Sequence, residues 1–141
     1  MTEGLVEYFK SHTNRLFWLD ACGALVSISI IGFIWTKNAE LIGMPKDELY
    51  LLATIPIFFI IYDLLAIRTA DIFKANWLVG IAVLNSMYCL LSAGLLIPHS
   101  NHISTLGWVY FTVEIAIVLY IAYLELKLSN SLKANQRAEQ L

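Results

Sequence analysis

Charge is scarce in this chain. Asp, Glu, Lys and Arg make up 14% of its 141 residues, and the net charge is −2. A soluble domain carries about 25% charged residues, so the shortage argues against one. The slight acidic excess argues against a nucleic-acid partner, which needs a basic face. Cysteine is scarce too. Cys22 and Cys89 stand alone in apolar stretches, with neither the number nor the spacing for a disulfide framework or a thiolate metal site. Both are expected to be small buried hydrophobes. The chain has no P-loop, no Gly-rich dinucleotide turn, no GxSxG and no CxxC, so the chemistries those motifs carry have no foothold. An Arg-rich voltage-sensing helix, a TVGYG-like filter and GxxxG are missing as well. No cofactor is expected.

What is present is apolar. Hydrophobic residues make up 59% of the chain, and the mean hydropathy is +0.70. Four stretches of about 20 residues stand out, each matching a hydrocarbon core about 30 Å thick at 1.5 Å per helical residue. They run from about 16 to 36, 49 to 67, 77 to 97 and 103 to 125. Pro45 suits the first turn of the second span, where Asp47 and Glu48 complement the helix dipole. Pro56 lies inside that span, where a kink is expected. Pro98 stops the third span, and Ser100 or Asn101 is the expected cap of the fourth. The expected fold is all-α: one domain formed by an integral membrane bundle of four antiparallel transmembrane helices, up-and-down.

The segments outside the spans are short. In residues 1–15, Leu5, Tyr8 and Phe9 fall at helical spacing, which fits a short helix on the membrane surface; a frayed tail is the alternative. A removable signal peptide is not expected, because the first apolar run is long, contains Asp20 and lacks a small-residue cleavage site. The polar tail from Leu126 is a candidate extension of the last helix. Seven basic residues fall on the side of the two termini and the second loop, against Lys37 and Lys46 on the other. The positive-inside rule then places both termini in the cytoplasm. Trp18, Trp35, Trp77 and Trp108 lie near span ends, where indoles anchor at headgroup level.

Asp20, Asp63, Asn85 and Glu114 sit one per span. Counted from the cytoplasmic boundary, Asp20 and Asp63 lie about 6 Å deep, Asn85 about 12 Å and Glu114 about 16 Å. Lipid offers such groups no partner, so all four are expected to face the bundle interior. Gly23, Ala24 and Ser27 share a face with Asp20, and small residues there allow a neighbouring helix close approach. Asp20 and Asp63 are candidates for ion pairs with Arg15 or Arg68. Asn85 is a candidate interhelical bridge, and Glu114 a candidate partner of Asn85 or a tyrosine hydroxyl. His99 and His102 form an H-x-x-H pair in the third loop, read as solvent-exposed for want of a third ligand.

These residues point to a small carrier or binding protein of the cell membrane. Its intramembrane carboxylate site, built from Asp20, Asp63, Asn85 and Glu114, would take a proton, a cation or a small amphipathic ligand, with the aspartates at the mouth and Glu114 deep. The alternatives are an accessory subunit without a ligand, or a membrane enzyme using Glu114 as general acid on a lipid, with Tyr88, Tyr110 and Asn85 as helpers. The lipid bilayer is the first expected partner, followed by a second copy of the chain or a membrane partner protein.

Overall fold

The computed structural model describes residues 1–141. It is helical with no strand: α1 (Thr2–Ser11), α2 (Thr13–Ser29) continuing into a π-helical segment (Ile30–Trp35), α3 (Ala39–Ile42), α4 (Lys46–Arg68), α5 (Asp71–Leu96) and α6 (Thr105–Glu139). Four of these helices are long and apolar enough to cross a membrane: Thr13–Trp35, Lys46–Arg68, Asp71–Leu96 and Thr105–Glu139.

The helix ends differ from the sequence expectation at several points, each for a local reason. Pro45 is extended (φ −58°, ψ 144°) and precedes α4 as its cap, so the first turn begins one residue later. Ser104, not Ser100 or Asn101, caps α6, its hydroxyl accepting from the Gly107 amide at 3.1 Å. Residues 97–102 are consumed by turns, among them the His102 amide bonded to the His99 carbonyl. The segment before the first span is helical rather than frayed: α1 buries Val6 and Phe9 against α2 and α6. The polar tail extends α6 as far as Glu139. Pro56 sits inside α4 without ending it.

Packing is uneven around the bundle. α2 lies along α4, and α5 lies along α6, while α4 and α5 share a smaller seam. The core between them holds Leu16, Phe17, Leu49, Leu52, Leu78, Ile81, Phe111 and Leu128, all fully buried. At one end, the Ser104 hydroxyl and amide donate to the carbonyls of Leu41 (2.5 Å) and Ile42 (2.9 Å), tying the start of α6 to α3. At the other, the Ser129 hydroxyl donates to the Ala75 carbonyl (2.6 Å) and the Gln136 amide to the Ile72 carbonyl (3.1 Å).

The α4–α5 seam turns on a glycine. Tyr62 donates to the Trp77 carbonyl at 2.9 Å, its ring 4.7 Å from the Trp77 ring. It reaches that carbonyl by passing over Gly80, where any Cβ would collide with the phenol oxygen. Gly80→Ala should therefore lower stability by about 1–3 kcal/mol, the usual cost of overpacking. In a Tyr62→Phe background that cost should shrink, because the colliding oxygen is gone. Thermal unfolding of the four proteins in detergent forms the double-mutant cycle; additive losses would show that Gly80 acts through something other than Tyr62.

Candidate functional site

Two levels of polar groups lie inside the bundle. At the first level, α2, α4, α5 and α6 each contribute one side chain: Asp20, Asp63, Asn85 and Glu125, all buried. Asn85 is the hub. Its Nδ2 donates to Asp20 Oδ1 at 3.0 Å and to Glu125 Oε2 at 3.4 Å. The Asp63 carboxyl is fully buried, and neither of its oxygens has a hydrogen-bond partner. No Lys, Arg or His lies in salt-bridge contact with Asp20, Asp63 or Glu125. Nor do three His, Cys, Asp or Glu side chains gather as a metal-holding group anywhere in the protein.

The second level is a cavity of about 520 Å³ on the α2–α6 side of the bundle. Ala24, Ser27 and Ile30 line it from α2, Pro56 and Phe59 from α4, Tyr88 from α5, and Val113, Glu114 and Ile117 from α6. Asp20 and Asn85 also reach its wall, so the two levels are connected. The lining is otherwise largely apolar. Glu114 is 7% exposed, and neither carboxyl oxygen has a hydrogen bond of normal geometry. The hydroxyls of Ser27, Tyr88 and Tyr110 stand around it. Trp35 also faces the cavity, its ring packed edge-on against Tyr110 at 5.4 Å, and its buried indole N–H is unpartnered.

The π segment explains Trp35. Ile30 and Trp35 both face the cavity and are five residues apart, one turn of a π-helix; in an α-helix they would point about 140° away from each other. The small residues of α2 play a role different from the expected one. Around Gly23 there is nothing within 4 Å of where a Cβ would be. Gly23, Ala24 and Ser27 leave space beside α6 instead of drawing it in.

The structure thus brings Asp20, Asp63 and Asn85 together and sets Glu114 apart. The expected ion pairs do not form. Arg15 turns back to donate to the Tyr8 hydroxyl of α1, Arg68 is exposed, and Asp63 is buried in the interior instead of at a mouth. Asn85 bonds Asp20 and Glu125, not Glu114. Glu125 and Trp35 are the additions. Eleven residues, about three helical turns, separate Glu114 from Glu125, so both fall on one face, which is the signal available in sequence. Cys89 is buried as expected, but Cys22 lies exposed on α2. Trp35 and Trp77 are half-buried packing residues, whereas Trp18 and Trp108 are exposed. His102 is exposed, while His99 is half-buried between the Leu95 carbonyl (3.0 Å) and Glu48 (3.3 Å).

Comparison with protein-family models, curated proteins and solved structures finds no match to this chain. The geometry of the two levels is therefore the whole basis for a functional reading. It makes a direct energetic prediction. Asn85→Leu removes the only amide donor among three carboxyls and should destabilise the fold by about 1–3 kcal/mol. Asp63→Asn replaces a fully buried carboxyl that has no hydrogen-bond partner with a neutral amide, and should raise stability by about 1 kcal/mol. Thermal midpoints in detergent measure both; a loss with Asp63→Asn would show that the acid form itself is needed there.

Proposed function

We propose that this is a multi-pass protein of the cell membrane that binds a small amphipathic molecule in the cavity beside α2 and α6. The observation that carries the proposal is Glu114: a buried carboxyl with no hydrogen bond, aimed into an apolar space. An unpaired buried polar group is costly, and a ligand head that donates to it removes that cost. A cavity of about 520 Å³ falls in the size range of small-molecule sites, which are mostly apolar with a few placed polar groups. Glu114 accepts from the head, Trp35 donates to it, and the apolar walls take the body.

The membrane frame rests on surface chemistry. Leu25, Phe33, Phe58, Ile61 and Leu90 are all exposed, an outward apolar surface that a water-soluble monomer rarely presents. The helix pairing supports an antiparallel up-and-down bundle. Ala75 of α5 meets Ser129 of α6, and Cys89 meets Ile115, so one helix rises as the other falls. The positive-inside rule orients the α1 end, with both termini, toward the cytoplasm. The site lies within a single chain, so the proposed binding needs no second copy. The hydroxyls of Tyr88 and Tyr110 beside Glu114 favour one further reading, proton donation by Glu114 to a bound lipid.

A fluorescent long-chain amine and the alcohol of the same chain, titrated into the detergent-solubilised protein, test the binding. Saturable binding of the amine is expected, weakened about tenfold in Glu114→Gln, a loss in the range of one charge-assisted hydrogen bond. Ala24→Phe should abolish it by filling the cavity, with the helical circular dichroism unchanged. Equal binding by wild type and both variants would overturn the proposal. Conversion of the alcohol to a new product, lost in Glu114→Gln, would favour the enzymatic reading.

A further inference from the structure

A second concavity, of about 480 Å³, lies where the start of α2 meets the start of α5 and the far part of α6. Its chemistry is the reverse of the Glu114 cavity. Lys10, His12, Arg15 and Lys74 line it, with Asp71 as the one acid. Lys74 is 6% exposed, and its ammonium makes one hydrogen bond, to Asp71 at 2.7 Å, although it has three hydrogens to give. Asp71 itself is almost fully exposed, so that pair opens outward. Lys10 holds Glu7 only at 3.6 Å. Arg15 spends one of its donors on the Tyr8 hydroxyl. At the α2 end no side chain caps the helix, and the Thr13 and Asn14 amides donate to no backbone carbonyl. The pocket therefore sets three Lys and Arg side chains and His12 against one exposed carboxylate, with Asn14 Oδ1 the one buried acceptor without a partner.

A tetrahedral anion supplies the missing acceptors. Phosphate oxygens take charge-assisted hydrogen bonds from ammonium and guanidinium groups and sit well at a helix N-terminus. We propose that this pocket is a phosphate-group site. Lys74 and Arg15 hold the phosphate from opposite elements, with Lys10 and the first amides of α2 completing the shell. Ile72 and Phe73, the two residues before Lys74, are both exposed, so a phosphate arriving here meets an apolar surface beside it. In the membrane frame proposed above, this end of the bundle is at the cytoplasmic headgroup level, where basic pockets take anionic lipids. The same phosphate chemistry is offered by an anionic phospholipid or by a free phosphate ion, and the apolar flank favours the lipid.

The test uses the full-length protein in a non-ionic detergent. Isothermal calorimetry is run with three probes: short-chain phosphatidylglycerol, short-chain phosphatidylcholine, and inorganic phosphate against chloride at matched ionic strength. Phosphatidylglycerol is expected to bind about tenfold more tightly than phosphatidylcholine, and Lys10→Gln/Arg15→Gln to weaken it about fivefold or more. These two residues are not buried, so the double variant should keep its unliganded thermal midpoint even if Lys74→Gln fails to fold. Binding of inorganic phosphate alone, with the same sensitivity, supports the site and names a soluble anion as its ligand. No binding above the chloride and phosphatidylcholine controls, or binding untouched by the double variant, overturns it. Glu114→Gln should leave these titrations unchanged, which separates this site from the cavity reading.

Discussion

A buried carboxyl needs a proton, a donor or a counter-charge, and this protein places four of them inside one helical bundle without a single cation beside them. That constraint orders the interior. Asn85, the one amide at their level, bonds Asp20 and Glu125 and so ties α2, α5 and α6 to a common point, while α4 presents the buried Asp63 to the same interior. Apolar packing alone holds helices together with little preference for rotation about their axes. A hub to which these helices must present particular residues fixes those rotations, because a turn of one residue would leave a carboxyl against apolar surroundings.

Glu114 is the exception. Its rotation is set by Glu125, three turns further along the same face of α6. With Glu125 held at the hub, Glu114 is carried into the interior, where the hydroxyls of Ser27, Tyr88 and Tyr110 stand around it without forming a hydrogen bond of normal geometry. The small residues of α2 keep that level open, and the π segment turns Trp35 toward it. A widened helical turn is itself costly and recurs at functional sites. Here it delivers an indole N–H to the same space as the unbonded carboxyl. Two unpartnered buried groups, one donor and one acceptor, thus share one cavity.

The helical class, the four long apolar helices and the inward placement of Asp20, Asp63, Asn85 and Glu114 were legible in the sequence, because each follows from hydropathy, length and the cost of polar groups in apolar surroundings. What was not legible is what depends on contact. Arg15 and Arg68 are the cations near Asp20 and Asp63 in sequence, whereas the structure gives Asp20 a partner from α5 and leaves Asp63 buried without one. Glu125 shares a helical stripe with Glu114 in sequence but stands at the end of the apolar span; because α6 continues to Glu139, the residue lies well inside the helix. The Gly23/Ser27 stripe reads the same in sequence whether a neighbour approaches it or a cavity opens there. Trp35 reads in sequence as an anchor near a span end; that it faces the cavity follows from a change of helical period that hydropathy does not report.

The length of α6 has a mechanical meaning. Its 35 residues form a rod of about 52 Å, some 20 Å longer than a hydrocarbon core. The Ser104–Leu41 bond pins one end, Glu114 and Glu125 sit along its middle, and Gln136 touches the start of α5 near the other. Such a rod is braced at both ends: a tilt of about 5° about the α3 end would sweep the other through about 4 Å, far enough to break the Ser129–Ala75 and Gln136–Ile72 bonds to α5.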